Sequence, residues 1–206
     1  MTASDVAEGA ERLGVLGGTF DPPHVGHLAV AQDILEALAL DRIIFVPAAR
    51  PPHKSEEGLT PASLRARMIR AAVEEDPRFE VSDLELRRDG PSYMVDTLAA
   101  LHDHDPEAQF FLILGADQWA AFASWHKPRR IARLARIVVM TRNGESPRNV
   151  DPGFTDGPPP EILEVPVTRL DVSSSQLRTR LAEGRSIRYL VPAEVHRIIE
   201  AGKLYS

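Results

Sequence analysis

Leu13-Gly14-Val15-Leu16-Gly17-Gly18-Thr19-Phe20-Asp21-Pro22-Pro23-His24-Val25-Gly26-His27 sets an apolar run against a glycine pair, a proline-stiffened turn and two histidines, and a helical pattern opens at Leu28. A short apolar block of this kind reads as a buried strand. Where it ends, two glycines let the backbone approach a ligand closely. The helix that follows offers unpaired N–H groups and the positive end of its dipole to the same crevice. His24 and His27 lie at that helix start, where a permanent positive charge opposes the macrodipole unless an anion shares the site. The pair therefore points to polyphosphate.

Outward from this stretch the pattern repeats. Ile43 to Val46, Phe110 to Leu114 and Ile137 to Met140 are further short apolar blocks of the kind covered on both faces. Leu28, Ala31, Ile34, Leu35 and Leu38 recur at helical spacing, as do Leu64, Met68, Ile69 and Ala72, and again Val95, Leu98 and Leu101. The alternation predicts an α/β fold: a Rossmann-like, doubly wound parallel sheet with right-handed crossovers and helices on both faces. Such a sheet binds at its carboxyl edge, so other strand ends should converge on the glycine loop. The candidates are Pro47 to Lys54, Gly115 to Asp117, and the segment after Val165 leading to Ser173. A polar tail over residues 1–12 precedes what reads as one domain over residues 13–206. Within it, Asn143 to Pro160 shifts to Pro, Gly, Asp and Asn and reads as a surface excursion.

At 206 residues the chain suits one α/β domain with a core that needs no staples. Its 43% hydrophobic and 26% charged residues are ordinary for a globular protein. A net charge of -6 argues against a nucleic-acid partner, although local basic clusters can still hold phosphates. The absence of cysteine excludes disulfides, thiolate catalysis and cysteine-ligated metals. Met1 to Arg12 has no apolar signal core, and no stretch approaches the roughly 18 to 20 apolar residues of a membrane span. No membrane partner is expected, cytoplasm is the default location, and the sequence leaves a homo-oligomer open.

Two familiar glycine-loop readings fail on spacing. Gly14, Gly17 and Gly18 do not form G-x-G-x-x-G, and G-x-x-x-x-G-K-[ST] does not occur. A zinc site at His24 and His27 needs a third and fourth ligand, and Asp21 alone is insufficient, so no protein-ligated metal is expected. Near the other end, Val172-Ser173-Ser174-Ser175-Gln176-Leu177-Arg178 precedes a helix running to about Glu183. A serine there is an ordinary cap, but a cation in the first turn opposes the dipole unless an anion lies nearby.

The string Gly17 to Pro22 with H-x-G-H at 24–27 resembles the signature of the nucleotidyltransferase superfamily, whose members adenylylate small phosphorylated metabolites. Val172 to Arg178 is similar to its second signature, I-S-S-T-x-I-R, with Val172 for Ile, Ser175 for Thr and Leu177 for Ile. More narrowly, Arg50-Pro51-Pro52-His53-Lys54, Glu85 to Tyr93 with Asp96-Thr97-Leu98, Leu114-Gly115-Ala116-Asp117 and Trp125-His126 resemble elements of the bacterial nicotinate mononucleotide adenylyltransferases. The likeness runs from residue 13 to about residue 200.

The resemblance implies ATP contacts from Gly17, Gly18, Thr19, Phe20, His24, His27, Gly115, Asp117, Ser173, Ser174, Ser175 and Arg178. It implies mononucleotide contacts from Thr19, Phe20, Lys54, Ser92, Tyr93, Met94, Trp125 and His126, with the tryptophan stacked on the pyridine ring and nearby backbone amides receiving the carboxylate. From the residues alone, Trp125 is either a stacking platform or a half-buried core residue, while Trp119 reads as core. Asp117 is a ribose acceptor, a helix N-cap, or both. Met94 departs from the family's threonine, which keeps a backbone donor and loses a hydroxyl.

The implied reaction is transfer of the adenylyl group of ATP to nicotinate mononucleotide, giving deamido-NAD and pyrophosphate in NAD biosynthesis. Mg²⁺ would enter chiefly through the ATP phosphates. A phosphate monoester is already largely dianionic at neutral pH, so alignment and charge stabilisation are what remain to be supplied. His24, His27, Lys54 and Arg178 are the catalytic candidates. The alternatives are another acceptor, nicotinamide mononucleotide or phosphopantetheine, and a non-catalytic nucleotide-binding regulator.

Overall fold

The computed structural model describes residues 9–51, 58–141, 147 and 150–205. In chain order they form β1 (Arg12–Gly18), α1 (Val25–Ala37), β2 (Arg42–Pro47), α2 (Ala62–Val73), β3 (Phe79–Val81), α3 (Met94–His104), β4 (Gln109–Leu114) and α4 (Ala116–Ala120). A 3-10 turn (Phe122–Ser124) leads to α5 (Pro128–Leu134), β5 (Arg136–Thr141), β6 (Ile162–Pro166), α6 (Ser174–Ala182) and α7 (Ala193–Gly202). The six strands lie in the order β3-β2-β1-β4-β5-β6, every neighbouring pair parallel. This is the Rossmann-like, doubly wound arrangement, and its order reverses between β1 and β4. Chains leaving the two adjacent strand ends there part in opposite directions and open a crevice. The glycine turn leaves β1 at Gly18 and the Gly115 turn leaves β4, so both border that crevice.

Strand alternation builds the core on both faces. Leu112 and Leu114 point to one side with Val15, Val46, Leu98, Trp119 and Phe122. Phe111 and Ile113 point to the other with Leu16, Phe20, Ile34, Phe45 and Ile69. Packing favours glycine at 14, since a Cβ there would run into Ile43 Cδ1 and crowd Leu40. A third cluster of Met68, Leu177, Ile187, Val191, Val195 and Ile199 fastens α6 and α7 to α2. It thereby fixes where the N-terminus of α6 points.

Four expectations are corrected. Helix α1 begins at Val25, three residues before the periodic pattern, because His24 takes the N-cap place. Strand β3 escapes the sequence, having three residues, none buried, while β6 is marked there only by its end at Val165, because it carries Glu164 and that single buried residue. Gly115, not Asp117, is the N-cap of α4. The excursion after Asn143 is not simply surface, because Pro147 O accepts the Trp119 indole N–H at 3.2 Å and Pro152 O accepts the Ala123 N–H at 3.1 Å. Phe154 packs there against Phe122 and beneath the Arg129 guanidinium. Among the described residues no helix is long and apolar enough to cross a membrane.

Candidate active site

The turn between β1 and α1 is shaped by Phe20, whose φ of 51° turns the chain and sends its ring into the core. That ring packs edge-on against Phe45 and His27, at centroid distances of 5.9 and 5.0 Å. It also underlies Gly18, where a Cβ would meet the ring at 2.8 Å. The His24 N–H donates to His27 Nδ1 at 3.2 Å, and the two imidazoles stack at 3.7 Å. With Nδ1 accepting, the neutral His27 ring carries its proton on Nε2 as a donor. Burial, reinforced by the neighbouring His24, pushes the His27 pKa down to about 3. The ring is therefore an uncharged hydrogen-bond donor throughout the neutral range.

Helix α6 opens on Ser173, which exchanges hydrogen bonds with Gln176: Ser173 Oγ accepts the Gln176 N–H at 3.3 Å, and Gln176 Oε1 accepts the Ser173 N–H at 3.1 Å. Ser174 Oγ donates to Pro22 O at 2.8 Å, and Arg178 Nη1 donates to Asp21 O at 2.8 Å. Arg178 Nη2 reaches Ser175 Oγ at 3.4 Å. The two sequence signatures, remote in the chain, are thus tied directly to each other. The arginine's hydrogen bonds go to neutral oxygens, so its charge remains directed at the cleft it lines. Gly26 is where the two helices approach, since a Cβ there would sit 3.0 Å from Val172 Cγ1.

Across the crevice, the Gly115 N–H donates to Gln118 Oε1 at 2.9 Å, and Asp117 lies over Gly115 so closely that a Cβ would meet its Oδ1 at 2.6 Å. Trp119 is core, at 2% exposure. Trp125 is half-buried, tilted 55° against Phe122 at 5.5 Å, with its other side on the cleft. The Tyr93 ring stacks on His126 at 4.4 Å, which brings the Ser92–Met94 turn and the Trp125–His126 pair together. Ser92 Oγ accepts the Arg50 N–H at 3.1 Å, so that hydroxyl is engaged within the protein. Met94 reaches back over the glycine loop, its Cε 2.7 Å from where a Gly17 Cβ would stand.

One cleft of about 1520 Å³ is lined by Gly17, Gly18, Thr19, Phe20, His24 and His27, by Ser92, Tyr93 and Met94, by Gly115, Asp117, Trp125 and His126, and by Ser173, Ser174, Ser175 and Arg178. Every sequence-derived site residue is brought to it except Lys54, which lies outside the described residues. Its volume exceeds the roughly 300 to 1,000 Å³ of a site for one drug-sized ligand. Among the described residues no three His, Cys, Asp or Glu side chains gather as a metal cage.

Three buried charged residues beside the cleft escaped the sequence reading as functional candidates. Asp21, 1% exposed, accepts the Thr60 N–H at 3.2 Å and the Tyr205 hydroxyl, tying the turn before α2 and the segment after α7 to the glycine loop. Burial and the Asp21 carboxylate together raise the Tyr205 pKa. Arg65 and Glu85 are buried as well. Arg65 left a detectable signal, since it falls on the apolar stripe of α2 with Ile69 and Val73 at four-residue spacing. Glu85 left none.

A model of the cytidylyltransferase-like family matches residues 15–180. The chain belongs to that family, and the fold and the joined signatures are those of a nucleotidyltransferase. Its similar relatives narrow the group. A protein of Thermus thermophilus is 44% identical over 94% of this chain and 99% of its own length, and one of Geobacillus thermodenitrificans is 41% identical over 94% of this chain and 86% of its own. Both carry the description "Probable nicotinate-nucleotide adenylyltransferase". At that identity and coverage the chain is a member of the nicotinate-nucleotide adenylyltransferase family. The fold is also similar to that of the Plasmodium falciparum nicotinic acid mononucleotide adenylyltransferase complexed with NaAD, with a TM-score of 0.77 and 20% identity over 95% of this chain and 97% of the other.

Proposed function

We propose that this enzyme transfers the adenylyl group of ATP to nicotinate mononucleotide, releasing pyrophosphate and forming deamido-NAD. The observation that carries the assignment is the joining of two phosphate signatures at one end of a single cleft whose other end presents Trp125, Tyr93 and His126. The mononucleotide phosphate attacks the α-phosphorus of ATP, the bond from that phosphorus to the bridging oxygen breaks, and pyrophosphate leaves with the electron pair. No proton has to be removed from the nucleophile. The rate enhancement comes from alignment and from donors already in place.

In this scheme His27 Nε2–H and His24 donate to the triphosphate, and Arg178 balances charge that builds on the leaving pyrophosphate. Backbone N–H groups of the glycine turn and of the α1 and α6 starts supplement them. Lys54, assigned from the sequence alone, would add a further positive charge for the phosphates. Asp117 accepts from a ribose hydroxyl. Trp125 covers the pyridine ring, and the backbone N–H groups near Tyr93 and Met94 receive its carboxylate. Mg²⁺ would enter with ATP, and His24, His27 and Arg178 would hold the phosphates that carry it. Bound there, the ion would neutralise charge on the phosphates as the bond to pyrophosphate breaks.

The decisive experiment supplies ATP and Mg²⁺ with nicotinate mononucleotide or nicotinamide mononucleotide in parallel, separating dinucleotide products and counting pyrophosphate. Equal yields of deamido-NAD and pyrophosphate, with strong preference for the nicotinate acceptor, are expected. Absence of any dinucleotide from either acceptor would overturn the assignment.

A further inference from the structure

Arg65 is 1% exposed on α2, behind the cleft wall. Among the described residues its guanidinium donates only to backbone carbonyls: Nε to Thr60 O at 2.8 Å, Nη1 to Thr19 O at 2.7 Å, and Nη2 to Ala48 O at 2.8 Å and Ala49 O at 3.3 Å. A planar fork with five fixed donors thus gauges three chain segments against one another: the glycine turn, the loop after β2 and the turn before α2.

Glu85, 3% exposed, works from the opposite side. It accepts the Thr97 hydroxyl at 2.7 Å, Thr97 Oγ1 also reaches Tyr93 O at 3.4 Å, and the carboxyl, its pKa raised by burial, interacts with Ser92 and with the Ala49 backbone. The Ser92 hydroxyl in turn accepts the Arg50 N–H, and the Ser92 N–H returns to Arg50 O at 3.0 Å. Ala49 is therefore held at its carbonyl by the buried Arg65 guanidinium and met from its other side by the buried Glu85 carboxyl. Arg65 and Glu85 do not pair with each other: the Asp21 carboxylate faces the guanidinium, and Arg88 faces the Glu85 carboxyl.

We propose that Arg65 and Glu85 are positioning residues that grip Ala49 from opposite sides and hold the mononucleotide wall of the cleft in register with its phosphate loop. Arg65 links that grip to Thr19 in the glycine turn, and Glu85 links it to the Ser92–Tyr93 turn. The inference rests on the adenylyl-transfer reading for its kinetic consequence, while its structural half does not.

The test compares wild type with Arg65→Lys and Glu85→Gln. Steady-state kinetics are measured for each substrate, alongside amide hydrogen exchange of Ala49 and Arg50 in the ligand-free protein and urea unfolding to choose conditions where all three are folded. Glu85→Gln should raise the mononucleotide KM about tenfold and leave the ATP KM within about twofold, since a hydrogen bond to a charged group is at stake. Arg65→Lys should raise both KM values and lower kcat, because it also releases Thr19. Exchange at Ala49 and Arg50 should accelerate about tenfold or more in both variants. Should Arg65→Lys fail to fold, Ser92→Ala carries the same test at the Arg50 N–H. Faster exchange with unchanged kinetics would reduce the pair to structural clips, and unchanged exchange would remove the grip itself. A wild type that makes no dinucleotide would sink the reaction assignment and leave the exchange result standing.

Discussion

The two ends of the cleft are built on different principles. At the phosphate end the functional groups are buried or cross-tied: His24 is 7% exposed, Asp21 is 1% exposed, and Ser174 and Arg178 bond directly to the backbone of the glycine turn. At the pyridine end Trp125 and Tyr93 are half-buried and His126 is exposed, held by ring contacts to one another and to Phe122. The contrast follows from what each end must recognise. Charge shifting between phosphates is stabilised best by donors that do not reorganise, so rigidity is built in. A flat ring is recognised by contact area, which tolerates small adjustments of the aromatic side chains.

The largest test of that contrast is His27→Ala. It should lower kcat about 10²- to 10³-fold, the usual cost of removing a preorganised donor, with far less change in mononucleotide KM. Steady-state pyrophosphate release would read it, and unchanged turnover would mean the stacked histidines are not where the chemistry is assisted.

Next in size is a pH effect on stability. With the folded pKa of His27 lowered from 6.5 to about 3, the unfolded chain takes up a proton at pH values where the native ring does not. Its contribution is therefore intact above pH 6.5 and is lost as pH falls toward 3. Between pH 6.5 and about pH 5 wild type should lose up to about 2 kcal/mol more than His27→Gln, at 1.36 kcal/mol per unit. Urea unfolding of both proteins at the two pH values measures it, and parallel losses would contradict the burial argument.

The smallest effect belongs to the softer end. Trp125→Ala should raise the mononucleotide KM about tenfold while leaving kcat and the ATP KM nearly unchanged, as expected for loss of contact area alone. A comparable fall in kcat would show that the pyridine end also sets the reacting geometry, and the division between the ends would fail.

Much of this was legible in the chain because local chemistry announces itself. Gly17-Gly18 before a helix, serines before Arg178, and apolar blocks alternating with helical periodicity each satisfy a rule that operates within about a dozen residues. What stayed hidden acts at longer range or leaves too short a trace. β3 is a three-residue strand with no buried position, and Glu85 sits in a polar turn whose residues give no sign of burial. Pro147 and Pro152 look like loop residues, yet their carbonyls serve Trp119 and Ala123.

By itself, then, the sequence determined the doubly wound α/β class and the anion-seeking helix starts at His24–His27 and Ser173–Arg178, because secondary-structure periodicity and helix-end chemistry depend on near neighbours, while the aromatic candidates entered through the family resemblance. Only the tertiary structure decided that Ser174 and Arg178 bond to the Asp21–Pro22 turn, that His27 is a neutral donor, and that Arg65 and Glu85 converge on Ala49. Those are consequences of desolvation and of the strand order that reverses between β1 and β4, and both arise only when distant segments share one interior.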